Sequence, residues 1–217
     1  QEILNLLREG REVLVVTDAG MPTISDPGFR LMRDAIAENL PTLVIPGPNA
    51  PTMAIALSGL PTDRFTFEGF TPRTQGARRA FFEKLRFEER TMVIFEAPHR
   101  LIESLADAAE ILGKDRKAAI CREMTKTYEE VARGTITELI EWAGSKEILG
   151  EITIVIEGFN PDSRKYSDKE LIAKVLASES AGNTRKEAIA EVAKEIGVAK
   201  RAVFDLMVAN KTGKIAQ

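Results

Sequence analysis

Val13-Leu14-Val15-Val16-Thr17-Asp18-Ala19-Gly20-Met21-Pro22-Thr23-Ile24-Ser25-Asp26-Pro27-Gly28 decides how this chain reads. The opening burst of four aliphatic residues fits a strand covered on both faces. The loop after it holds two Asp, two Gly and two Pro, and outruns the roughly 2–6 residues of an ordinary strand-to-helix connection. In an open α/β sheet, ligands bind at the carboxyl ends of strands, so this is read as a ligand loop. Pro27 stands in a first helical turn with Asp26 as N-cap, opening a helix that runs to Asn39. A second predicted strand, 42–45, ends in Pro46-Gly47-Pro48-Asn49-Ala50-Pro51. Parallel strands share a direction, so both loops are expected at one sheet edge, as two parts of one crevice wall.

Outward from there, helix 2–9, strand 12–16, helix 27–39, strand 42–45 and helix 49–59 alternate, as βαβ units of a parallel sheet do. The pattern changes at the linker 59–64. Strand 65–70 follows, then a basic helix 75–86 with Arg78, Arg79 and Lys84, strand 91–95, and a helix to Leu112. Strands 118–121, 130–133 and 152–156 and a helix 135–143 complete a mixed α/β region. Past the linker 158–163 the pattern is helical, at 168–178, 184–196 and 199–210. Thr184 and Glu187 make a capping box, and the turn at Gly197-Val198 is as short as in a helix-turn-helix pair. The expected domains are 1–61, 62–160 and 163–217. The chain begins at Gln1, inside an apolar helix face of Ile3, Leu4, Leu6 and Leu7, which reads as the continuation of a longer protein.

Composition narrows the function. The 217 residues are 44% hydrophobic and 29% charged, ordinary globular values that argue against disorder. No apolar stretch reaches the ~18–20 residues of a membrane span, and no signal-peptide pattern opens the chain. The single cysteine, Cys121, excludes an internal disulfide and a cysteine-based zinc site, and points to a reducing, cytoplasmic setting. The single histidine, His99, makes metal catalysis unexpected. Residues 163–217 carry 11 Lys+Arg against 7 Asp+Glu on a chain of net charge −3. A basic tail on an acidic body is read as a polyanion-binding appendage or a solvated helical surface.

Several side chains are candidates for chemistry. Asp18 and Asp26 flank the first loop, as hydrogen-bond acceptors for a ligand or as caps. Gly20 and Gly47 admit close backbone approach or left-handed turns. Neither a dinucleotide glycine fingerprint nor a Walker-type phosphate loop is present. Glu96-Ala97-Pro98-His99-Arg100 follows a strand, and places His99 and Arg100 for phosphate binding or, for His99, proton transfer, with a structural role as the alternative. Arg122-Glu123-Met124-Thr125-Lys126 is a charged cluster after a buried strand, read as a substrate contact or as mutual ion pairing.

Taken in one order, Asp18–Pro22, Ser25–Gly28, Pro46–Ala50, Glu96–Arg100, Arg122–Lys126 and Gly150-Glu151 closely resemble the ribosomal RNA small-subunit methyltransferase I family, a branch of the tetrapyrrole methylase superfamily. The likeness runs from the first residues to about Gly158. It implies two α/β domains with S-adenosyl-L-methionine in the cleft between them, a small C-terminal helical domain, and a homodimer. It implies 2′-O-methylation of a cytidine ribose in small-subunit ribosomal RNA, free or in the assembled subunit. Carried onto this chain, Asp18, Ala19, Gly20, Pro22, Ser25, Asp26, Pro46, Gly47, Asn49 and Ala50 form one cofactor wall. Phe95, Glu96, Ala97, Gly150 and Glu151 form the other. Glu123, His99 and Lys126 are the catalytic candidates. Arg100 and the tail residues Lys165, Arg185, Lys186, Lys200 and Arg201 are candidate RNA contacts. The family opens with a strand and a Pro-Ile-Gly-Asn-Leu-type loop that has no counterpart in these residues. Two rival readings stand: a tetrapyrrole or other small-molecule methyltransferase, and a non-catalytic RNA-binding ribosome-assembly protein.

Overall fold

A computed structural model describes residues 2–17, 20–160 and 168–211, which group into two compact units, 1–158 and 159–217. Asp18, Ala19 and Lys165 lie outside the described residues. The first unit contains helices α1 (Glu2–Arg8), α2 (Phe29–Ala37) and α3 (Ala50–Ser58), strand β1 (Phe65–Phe70), α4 (Gln75–Leu85) and β2 (Thr91–Glu96). It continues with a 3₁₀ turn (Pro98–Arg100), α5 (Leu101–Leu112), β3 (Lys117–Arg122), β4 (Glu130–Thr135), α6 (Ile136–Gly144) and β5 (Ile152–Ile156). The strands form one sheet in the order β1-β2-β5-β3-β4, with β1 and β2 parallel and the other neighbours antiparallel.

Period-two alternation sorts the two faces of this sheet. Met92, Ile94, Ile120, Ile152, Ile154 and Ile156 face α4, α5 and α6 in the main core, where Leu101, Leu105, Ala108 and Leu112 line one side of α5. Val93, Ala119, Cys121 and Val155 face the other way, against Ala54 and Ile55 of α3. The small residues Ala54 and Ala119, both fully buried, let helix and sheet approach closely. Cys121 is buried there, and desolvation pushes its thiol up to about 11, so it is an inert core residue.

Two expected strands are absent as ladders. Residues 11–17 and 41–49 form no strand, and Leu14, Val16, Leu43 and Ile45 are 78%, 77%, 85% and 71% exposed. Both segments have strand-like composition, but a strand exists only where a neighbour takes its N–H and C=O groups, and no described segment pairs with either. The helix expected from Pro27 begins at Phe29, with Gly28 (φ 116°) as its N-cap and no side-chain cap.

The second unit packs α7 (Asp168–Ser180), α8 (Arg185–Ile196) and α9 (Lys200–Lys211) around Val175, Ala188, Ile189, Val192, Ile196, Val203 and Met207. Thr184 and Glu187 make the capping box in both directions, and Gly197 (φ 73°) ends α8 in a left-handed cap that turns the chain into α9.

Candidate active site

Strand register collects the polar motifs at one edge of the sheet. Glu96 ending β2 pairs with Ile152 starting β5, which pairs with Arg122 ending β3, which pairs with Glu130 starting β4. The motif turns after β2 and β3 and before β5 are therefore side by side. Strands about 4.8 Å apart put the ends of β2 and β3 roughly 10 Å from one another.

Helix α3 brings the Pro46–Ala50 loop to the same edge. Cys121 near the end of β3 contacts the carbonyl of Ala54, while Arg133, opposite Ala119, donates to the carbonyl of Leu57 at 2.9 Å. The helix thus runs against β3, and its N-terminus at Asn49-Ala50 overhangs the turn at Glu123. Asn49 is the N-cap, accepting from the Thr52 amide at 3.1 Å. Pro46 and Gly47 are exposed, and Gly47 lies against the first loop, where a Cβ would sit 3.8 Å from the Met21 sulfur. The first loop itself is held by non-glycine residues at positive φ, Thr23 (74°) and Ser25 (58°), conformations that are costly and recur at ligand sites. Asp26 does not cap α2; its carboxylate accepts from the Thr17 hydroxyl at 3.0 Å and closes the loop on itself.

The structure gives Glu96 a different place from the expected cofactor contact. Its side chain is completely buried. One carboxylate oxygen accepts from the Ala97 amide at 2.7 Å and pairs with the Arg100 guanidinium at 2.6 Å. The other accepts short hydrogen bonds from the hydroxyls of Thr71 and Ser104. Arg100 also donates to the Thr71 carbonyl at 3.2 Å, so its guanidinium is engaged within the fold rather than offered to RNA. A buried charge pair with every lone pair occupied is a rigid staple, because removing either partner leaves an uncompensated charge. Thr71 and Ser104 escaped the sequence reading. Ser104 was detectable as a polar residue amid the apolar side of α5.

Beside this clamp, Phe70, Thr71, Arg73, Ala97, His99 and Arg100 line a concavity of about 780 Å³, with His99 exposed. At the end of β3, Glu123 (φ 50°) accepts from the Glu151 amide at 2.8 Å and from Lys126 at 3.0 Å, and Lys126 reaches Glu151 at 3.2 Å. The Glu151 amide, followed by Lys126, holds the Glu123 carboxyl below the usual carboxylate range. Glu123, and after it Glu151, raise the Lys126 ammonium. Gly150 (φ 89°) leaves room for this arrangement, since a Cβ there would overlap the Glu123 side chain. Arg122 turns away to Glu130 (3.2 Å) and the Leu149 carbonyl. In the second unit Lys186, Lys200 and Arg201 are exposed, whereas Arg185 is paired with Glu179 at 2.7 Å.

A mixed sheet with its polar turns gathered at one edge matches known proteins. The profile of the tetrapyrrole (corrin/porphyrin) methylases matches residues 1–140, and the chain belongs to that family. Solved structures of a cobalt precorrin-4 methyltransferase (TM-score 0.53, 17% identity, 72% of this chain and 68% of that one) and the methyltransferase CobJ (0.55, 16%, 72% and 69%) share the fold. Within the family its relatives include proteins named ribosomal RNA small subunit methyltransferase I. The chain is 46% identical to that of Mycobacterium bovis over 218 residues, covering 99% of this chain and 75% of the relative. It is 40% identical to that of Halalkalibacterium halodurans (95% and 72%) and 41% identical to that of Bacillus subtilis (94% and 71%).

Proposed function

We propose that the chain transfers a methyl group from S-adenosyl-L-methionine to the 2′-oxygen of a cytidine ribose in small-subunit ribosomal RNA, as a cytoplasmic homodimer. The observation that carries this reading is the 46% identity over 99% of the chain to a relative named for that ribosomal RNA. The basic tail supports a polyanionic substrate over a tetrapyrrole, for which a positive helical appendage has no use.

The donor set suits the cofactor in kind. Gly20 has open space around its Cα, and Gly47 is an exposed glycine, so main-chain N–H and C=O groups can approach a ligand there. These glycines with Asp18, Ala19, Pro22, Ser25, Pro46 and Ala50 would hold it from one side, and Phe95, Ala97, Gly150 and Glu151 from the other. When bound, the cofactor supplies an electrophilic methyl group on a sulfonium. The chain's task is then to hold the ribose oxygen in line at about 3–3.5 Å and to manage one proton.

Three residues carry that task. His99, exposed at the edge, accepts the hydroxyl proton as a general base. Lys126, whose raised pKa keeps it cationic, polarises the ribose oxygen. Glu123 is a positioning residue, because a carboxylate held low by two hydrogen bonds is a weak base and a firm anchor for Lys126. Radiolabelled methyl incorporation into small ribosomal subunits tests this. His99→Ala and Lys126→Ala are expected to lose about 10²-fold or more in kcat. Glu123→Gln is expected to lose less and to lower the Lys126 pKa, visible as a shifted alkaline limb of the pH profile. Near-normal rates in all three variants would end the proposal.

A further inference from the structure

We propose that the concavity at the carboxyl ends of β1 and β2 is a single-stranded nucleotide subsite, with a base stacked on Phe70 and its phosphate held by Arg73. The inference rests on the RNA-substrate reading and assigns part of that substrate to a place.

The first observation is a bulge. Phe67 pairs with Val93 and Phe70 with Phe95, so β1 takes three steps where β2 takes two. Gly69 (φ 71°) absorbs the extra residue in a conformation that side chains resist. Without the bulge, Phe67 and Phe70 face opposite sides of the sheet; with it, both rings meet Phe95 edge-on, at 4.8 and 5.4 Å. Bulges re-aim side chains and recur beside active sites. Phe67 is half-buried, yet Phe70 remains 54% exposed. The fold holds this ring by its contact with Phe95 and leaves it open to the concavity.

The second observation is charge. Arg73 lines the same concavity and is exposed, and it has no ion-pair partner among the described residues. No acidic side chain is among the lining residues, and the nearby Glu96 carboxylate is neutralised by Arg100. An open aromatic ring beside an unpaired cation is how single strands are bound, the base by stacking and the backbone by charge. About 780 Å³ is more than a phosphate alone fills and lies in the usual range for small-ligand sites. A duplex keeps its bases stacked within the helix, so only an unpaired or flipped nucleotide reaches such a ring.

Fluorescence anisotropy of the intact chain with a labelled cytidylate hexamer tests the subsite. Phe70→Ala should weaken binding about five- to hundredfold, the range for loss of one stacked base. Phe70→Leu keeps an apolar side chain against Phe95 and should lose as much, whereas Phe70→Trp should bind at least as tightly as the parent. Arg73→Ala should lessen the slope of log K against log salt by about 0.7, one single-strand phosphate contact. An abasic hexamer should bind the parent protein as weakly as the cytidylate hexamer binds Phe70→Ala. The proposal is overturned if Phe70→Leu binds like the parent, or if the abasic strand binds as well as the cytidylate strand. Methyl incorporation by the parent protein, measured on the same preparation, reports separately on the proposed reaction.

Discussion

Glu96 and Glu123 terminate or follow strands of one sheet, and their surroundings give them different work. Glu96 is sealed against Arg100, Thr71 and Ser104, and stiffens the turn that carries His99. Glu123 is partly exposed and anchors Lys126 at the same edge. The sequence made both visible as carboxylates in motif turns, but burial is a property of what packs around them. Gly150 marks how tightly the second site is built. Alanine there must hold φ 89° and push the Glu123 side chain aside. Gly150→Ala should lose about 1–3 kcal/mol of stability and lower methyl incorporation, with Ser as damaging as Ala. A thermal melt and an incorporation assay on the same sample check it.

Elements were most legible where a local signal was complete. Thr184 and Glu187 announce the start of α8 by spacing alone, and the box forms as read. Thr135 and Glu138 form a second box at α6. Thr184→Ala should remove about 1 kcal/mol from the helical unit, seen as a lower urea midpoint of the helical signal, with Thr184→Ser near the parent. Helix α4 shows the opposite case. It reads as a basic helix, and Arg78 is 2% exposed and bound to Asp107 of α5 at 2.6 Å. The partner lies 29 residues away, so no local pattern could pair them. The predicted strands 12–16 and 42–45 failed for a related reason: aliphatic composition expresses willingness to pair and supplies no neighbour.

At the scale of the molecule, acid should unfold the sheet unit from its polar edges. Arg90 holds Glu88 down to about 2; Glu123 is held low by the Glu151 amide and Lys126, and Glu130 by Lys146 and Arg122. A carboxyl with a depressed folded pKa contributes stability that is full above its unfolded value, about 4.3 for Glu. That contribution fades as pH falls through the folded value. The melting midpoint should be flat between pH 7 and 5 and fall steadily from pH 4 toward 2; calorimetry showing no change from pH 5 to pH 2 would refute this. Desolvated Cys121 acts at the other end. Its thiol stays neutral up to about 11, so burying it stabilises the fold below the unfolded thiol value of about 8.5, and that contribution disappears as pH rises through 11.

The sequence by itself determined the helices, the five strands of the sheet and the cap of α8, because period, capping spacing and turn residues act over a few neighbours, but it did not determine that 12–16 and 42–45 stay unpaired. It also determined the family, since five co-linear motifs leave little freedom. Tertiary structure alone decided which motif residues meet at the sheet edge, which carboxylate is sealed and which is open, and that a one-residue bulge turns Phe70 toward the concavity. Those outcomes depend on strand register and on contacts between distant residues, and neither is written in any local stretch of the chain.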